Sequence, residues 1–273
     1  MQKEGVLPME EEQLISMYLP YPGAEDRLVR VFVPAHGEGQ TLPVIYMTDG
    51  QNLFDVESSG FGCWYTREAV RRERECSGRA AVIVGIHNED PLRMPELTPA
   101  GPGGLKEPEA NGLEPRGEVF DDFLVNTVMP AVQARFPVRT GRENTAFCGS
   151  SAGGMFSFFT ALSHPELFSA AGVLSPCFAL YRQQELAAWI RSRRTRTPAF
   201  LYLFCGAGDR LEQFLLGGVH SMLPVLEACW PGDRLKTVLR PEARHHETAW
   251  EPVFRDFLHD FLARCPEDSR RPE

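Results

Sequence analysis

Ser151 lies in the segment Asn144–Thr160, NTAFCGSSAGGMFSFFT, at the centre of Gly149-Ser150-Ser151-Ala152-Gly153. A Gly-x-Ser-x-Gly pattern arises by chance in roughly one chain in ten of this length, so the pattern alone decides little. Its surroundings decide more. An apolar strand ends at Cys148 and an apolar helix begins at Ala152, which is the strand–turn–helix context of a nucleophile elbow. Small residues allow a sharp turn that lifts a serine hydroxyl above the sheet. The following helix then offers free N–H groups and a positive dipole end to a developing oxyanion. The flanking glycines select Ser151 over Ser150. Against this stands a purely structural glycine-rich turn.

A serine hydroxyl attacks a carbonyl only when a base removes its proton, so a histidine is required. Seven are present. His36 and His87 border loops, His164 precedes Pro165, and His220 and His259 lie in helical patterns. His245 and His246 follow the strand-like TVLRP and precede the last helix, the place of the third member in the chain order Ser, acid, His. Spacing alone leaves both open. The acid belongs after the strand Ala199–Phe204, which continues Cys-Gly-Ala-Gly-Asp-Arg-Leu-Glu. Asp209 is the first carboxylate there, and Glu212 is the fallback. An ordinary turn aspartate is the competing reading of Asp209.

These groups need a scaffold, and the pattern of the chain supplies one. Gln13–Leu19 and Arg27–Val33 read as an antiparallel hairpin around Tyr-Pro-Gly-Ala-Glu-Asp. Apolar runs typical of buried parallel strands follow at Val44–Thr48, Ala81–Ile86, Thr145–Cys148, Ala170–Leu174, Ala199–Phe204 and Leu235–Leu239. Helices are expected at Glu118–Phe136, Ala152–Leu162, Gln183–Arg193, Phe214–Trp230 and Thr248–Leu262. The fold class is therefore α/β: a mostly parallel central sheet, an antiparallel N-terminal hairpin and helices on both faces. Residues 1–273 read as a single domain. The stretch from Asn88 to Gly117 is rich in Pro and Gly without periodicity. It reads either as a lid or substrate loop or as a surface excursion.

The formal net charge of −9 argues against nucleic acid or anionic lipid as partner. Arginines between Arg67 and Arg79 alternate with glutamates and read as a solvated helix face. Those from Arg191 to Arg196 read as an exposed helix end. Seven cysteines without paired spacing read as reduced thiols. No zinc-binding spacing appears, so neither metal nor organic cofactor is expected. The start, MQKEGVLPMEEEQ, lacks an apolar signal region, and no apolar run is long enough to cross a bilayer. A soluble, cytoplasmic protein acting on a small molecule is the expectation.

Taken together, these residues resemble the putative esterase family of α/β-hydrolases, which includes enterochelin-type siderophore esterases, feruloyl esterases and S-formylglutathione hydrolases. VIYMTDGQNLFD (Val44–Asp55) is similar to the family's strand and Asp-Gly turn. NTAFCGSSAGG is similar to its elbow, and SHPELFSAAGVLSP (Ser163–Pro176) to its next helix end and strand. RHHETAW (Arg244–Trp250) resembles a His-x-Glu-x-x-Trp element, which implies that His245 is the base. The resemblance implies an α/β-hydrolase fold and oxyanion donors in the backbone N–H groups of Gln51 and Ala152. Arg93 and Glu96, in RMPELTP, match its loop pattern and become substrate-loop candidates. Cys177 departs from the family, which more often has a small residue there, and joins them. A serine carboxylic ester hydrolase working through an acyl-enzyme on a small acylated-sugar or siderophore-type ester is implied. An acyltransferase using the same site, or a non-catalytic binding protein of this fold, are the alternatives.

Overall fold

Strands of the central sheet form where β-branched and aromatic residues run together, and both of its faces are covered. The structure, a computed structural model, describes residues 9–195 and 199–267. The first eight residues and Arg196, which entered the readings of the N-terminus and the second arginine stretch, lie outside these. The strands are β1 (Met9–Glu10), β2 (Gln13–Leu19), β3 (Arg27–Val33), β4 (His36–Gly37), β5 (Val44–Met47), β6 (Val82–Ile86), β7 (Thr145–Ser150), β8 (Ala170–Leu174), β9 (Phe200–Gly206) and β10 (Leu235–Arg240). The α-helices are α1 (Thr66–Ser77), α2 (Arg93–Glu96), α3 (Gly117–Phe123), α4 (Met129–Arg135), α5 (Ala152–Ser163), α6 (Gln183–Ser192), α7 (Arg210–Cys229) and α8 (Glu247–Arg264).

Eight strands form one sheet in the order β10-β9-β8-β7-β5-β6-β3-β2. From β10 to β6 the pairs are parallel, and β3 joins β6 and β2 antiparallel. The antiparallel N-terminal hairpin that the pattern predicts is present, and it forms one edge of the sheet. A separate two-stranded ribbon pairs β1 with β4. Alternation along β5 divides the core: Tyr46 faces the cluster under α3 to α7, whereas Ile45 and Met47 face the cluster under α1 and α8. The arginine-rich α1 buries Thr66, Ala69 and Val70 and turns its charges outward. Arg191 sits in the last turn of α6. No helix of the described residues is long and apolar enough to cross a membrane.

The single helix expected over Glu118–Phe136 is interrupted by a π-helical turn at Leu124–Val128 between α3 and α4. Pro130 has no N–H to give the preceding turn, and a wider turn accommodates the missing bond. The last large helix of that face, α7, begins at Arg210, four residues before the expected Phe214. The long loop is tied along its length. Leu105 bridges Tyr181, Lys106 N–H donates to Leu180 O at 2.8 Å, and Tyr181 Oη donates to Pro99 O at 2.7 Å. Within it, α2 is fixed by Glu96, whose two oxygens each accept from Arg27 at 2.9 Å in a buried pair.

The topology leaves one natural place for a site. Consecutive strands run from β5 outward to β6 on one side and to β7 on the other, so the sheet reverses direction of growth beside β5. Ligands in open α/β sheets bind beyond the carboxyl ends of strands at such a switch point. Met47 of β5 pairs with Cys148 of β7, which sets the Asp49-Gly50 turn beside the elbow.

Candidate active site

At the end of β7 the chain turns so sharply that Ser151 takes φ 60° and ψ −123°. A positive φ at a residue with a Cβ is strained and persists only where its surroundings enforce it. Ser151 N–H donates to Leu174 O at 2.9 Å, and Ser151 O accepts from Met155 N–H at 3.1 Å. Gly149 and Gly153 are needed because a Cβ on either would run into Thr48 Oγ1 at the end of β5. Ala152 opens α5, so its N–H has no partner within the helix.

His245 lies on the loop between β10 and α8, with Nε2 3.0 Å from Ser151 Oγ. Its ring stands edge-on to the Trp250 indole, centroids 4.9 Å apart. His246 faces away and caps α8, accepting from Thr248 N–H. Of the two histidines left open by spacing, His245 is the one that meets the serine.

The carboxylate on His245 Nδ1 belongs to Glu212, at 2.7 Å, and not to Asp209. Asp209 is the N-cap of α7, and its Oδ1 accepts from Glu212 N–H at 2.9 Å. Its Oδ2 accepts the backbone N–H of His245 at 2.8 Å. The correction has a simple cause. A cap side chain is drawn onto the amides of its own helix, while the third helical residue, one methylene longer, turns under the end of β9. Glu212 is completely buried there, and Asp209 remains about a quarter exposed. Glu212 Oε2 also accepts Gly206 N–H at 2.7 Å. Burial pushes the Glu212 carboxyl up, but hydrogen bonds from His245, Ser175 and Gly206 outweigh it and hold it below its ordinary value.

Two supporting residues carried no role in the sequence reading. Ser175 is fully buried, accepts the Trp250 indole N–H at 3.1 Å and helps to hold the Glu212 carboxyl below its ordinary value. Trp250 therefore supports both His245 and, through Ser175, its acid. The signal was present, since Ser175 ends the GVLSP segment and Trp250 closes RHHETAW, but neither position shows its partner in sequence.

Gln51 sits in the short 3-10 turn Gly50–Asn52, whose preceding residue, Asp49, is left-handed at φ 56°. The loop candidates separate sharply. Arg93 grips the buried Asp49 from outside the turn, Nε at 2.6 Å from Oδ1 and Nη2 at 2.8 Å from Oδ2. Glu96 is wholly taken up by Arg27 and has no exposed surface to offer a substrate. Cys177 Sγ lies 3.9 Å from Ser151 Oγ, and burial pushes its thiol up to about 11. A thiol so buried is neutral at physiological pH and is not the nucleophile. No group of three or more His, Cys, Asp or Glu among the described residues could hold a metal ion.

Residues 24–199 match the family described as "Putative esterase". The siderophore triacetylfusarinine C esterase of Aspergillus fumigatus is 31% identical over 58% of this chain. That alignment spans 54% of the relative, so the chain matches about half its length. Siderophore hydrolase EstA from Aspergillus nidulans superposes with a TM-score of 0.73 at 18% identity, covering 92% of this chain and 94% of that one. A ferulic acid esterase from Anaeromyces mucronatus superposes at 0.61 with 20% identity, covering 95% and 93%. At such identities the likeness is one of fold, which is that of the α/β-hydrolases.

Proposed function

The chain belongs to the Putative esterase family, and from that premise we propose that it hydrolyses carboxylic esters through an acyl-enzyme on Ser151. The observation that carries the proposal is the unbroken line Ser151 Oγ–His245 Nε2, His245 Nδ1–Glu212 Oε1, at 3.0 and 2.7 Å. Ser151 Oγ attacks the ester carbonyl while His245 Nε2 takes its proton. Glu212 accepts from Nδ1–H, fixes that tautomer and stabilises the imidazolium without becoming protonated. The tetrahedral oxyanion is held by Ala152 N–H and Gln51 N–H. Collapse breaks the ester C–O bond, and His245 returns the proton to the leaving alcohol. Water then attacks the acyl-serine by the same route in reverse.

A siderophore-type ester is the substrate we favour, on the similarity to the Aspergillus fumigatus enzyme. Exposed apolar side chains on the segments that carry the site would suit a substrate with sizeable apolar groups. Phe61 and Tyr65 after β5, Met94 of α2, and Leu211 and Phe214 of α7 all remain exposed on segments that contribute to the site. Ser151→Ala should lower turnover of p-nitrophenyl acetate and of a trilactone or fusarinine-type siderophore by at least about 10⁴-fold, with the fold unchanged by circular dichroism. Wild-type-like turnover in that variant would sink the nucleophile assignment. Competition between siderophore and feruloyl esters, read as kcat/KM, decides the substrate.

A further inference from the structure

The turn that carries Gln51 is clamped from both sides, and the clamp centres on a charge. Asp49 is buried and left-handed, a conformation unfavourable for a residue with a Cβ. Its backbone carbonyl accepts Asn52 N–H at 2.9 Å, closing the turn that displays Gln51 N–H. Its carboxylate is forked by Arg93 and also accepts from Asn88 Nδ2. The far side of the turn is held too, because Asn52 Nδ2 donates to Glu247 Oε1 at 3.3 Å. Burial pulls the Arg93 guanidinium down, but Asp49 outweighs it and raises it above its ordinary value. Both nitrogens that form the fork are thus directed at the turn.

The rigidity behind Arg93 comes from its neighbour. Glu96, one turn along α2, is locked to Arg27 of β3 in a fully buried bidentate pair. A line of fixed contacts therefore runs from β3 through α2 to Asp49 and the Gln51 N–H. Oxyanion donors act only when aimed at the position the oxygen reaches in the transition state, and a misaimed donor loses most of its effect.

Resting on the serine mechanism proposed above, we propose that Arg93 is a positioning residue that aims the Gln51 N–H through Asp49. Arg93 would then influence the transition state and leave binding of the ester nearly untouched. Lysine cannot reproduce the fork, because an ammonium is a single point charge.

The test uses the full chain with p-nitrophenyl acetate, a substrate too small to need a remote contact. Arg93→Gln and Arg93→Lys should each lower kcat by roughly 10- to 100-fold, up to the loss of one oxyanion donor. KM should stay within about threefold of wild type. Affinity for a trifluoromethyl ketone, whose serine adduct carries the oxyanion, should fall in parallel with kcat/KM. The double variant Arg93→Gln with Asp49→Asn should be little worse than either single variant, since both remove one interaction. A rise in KM with kcat unchanged would make Arg93 a substrate contact and overturn the inference, as would wild-type kinetics. If Arg93→Gln does not fold, the same readings on Arg93→Lys decide. Failure of the serine reading is distinguishable: Ser151→Ala would stay active and a fluorophosphonate would not label the protein, whatever Arg93 variants do.

Discussion

The turn after β7 and the turn after β9 leave the same carboxyl-terminal end of the parallel strands, yet they hold their groups by different means. After β7 the backbone does the placing. Ser151 is confined to a positive φ, glycines on either side allow the approach of Thr48, and α5 behind it is buried along nearly its whole length. After β9 side chains do the placing. Two carboxylates three residues apart divide one histidine between them, Glu212 on the ring and Asp209 on the backbone N–H. A turn of the first kind is legible as a pattern of small residues. A turn of the second kind depends on where a helix begins and which way two side chains point.

The sharpest way to break that contrast is to exchange the weights of the two carboxylates. Glu212→Gln keeps the shape but presents an amide to His245 Nδ1, which disturbs the tautomer and leaves the imidazolium without its counter-charge. We expect kcat/KM to fall by about 10³- to 10⁴-fold with little change in thermal midpoint. Asp209→Ala should lower activity by no more than roughly tenfold, because the His245 ring keeps its partner. Its main effect is loss of the α7 cap, worth about 1 kcal/mol of stability. Steady-state kinetics and thermal melts of the two variants check both statements. Equal kinetic losses would show that the acid is shared and would erase the distinction drawn here.

The same contrast explains which features were readable from sequence. Strand β8 falls where its apolar run begins and ends, because a strand buried along its whole length leaves no ambiguity, whereas β2 and β3 are delimited by the hairpin turn between them. The elbow was readable because its glycines and flanking elements are contiguous. The acid was not, because the helix pattern starts visibly at Phe214 while the helix itself starts at Arg210. Reading Glu212 as loop hides that it is the third residue of a helix capped by Asp209. The D-R-L-E spacing does match a capping box, but in a capping box the glutamate returns to the cap; here it turns to His245. Arg93 and Glu96 share one loop motif and one helical turn, and nothing local separates them. Their partners, Asp49 and Arg27, lie 44 and 69 residues away in sequence.

The smallest effect lies at the far end of α5, where the elbow's helix is tied to α3. His164 Nε2 is 2.6 Å from Asp121 Oδ2, and Thr160 Oγ1 donates to Asp121 Oδ1 at 2.5 Å. The Asp121 hydrogen bond raises the His164 ring above its ordinary value of 6.5, against the opposing effect of burial. A group whose folded value is raised contributes its stability below the unfolded value and loses it as pH rises through the folded one. Wild type should therefore be stabilised over His164→Gln by roughly 1 kcal/mol near pH 6, allowing for partial exposure. That advantage should fade as pH rises through the raised folded value and the ring loses its proton. In a chain of this size the shift amounts to about 2 to 4 °C in thermal midpoint, measurable by paired melts across the pH range. The kcat of His164→Gln at matched pH should equal that of wild type. A helix packed on both sides of its first two turns does not need this tie to hold Ser151 in place, and a kinetic loss here would mean that the elbow, too, relies on a side-chain contact.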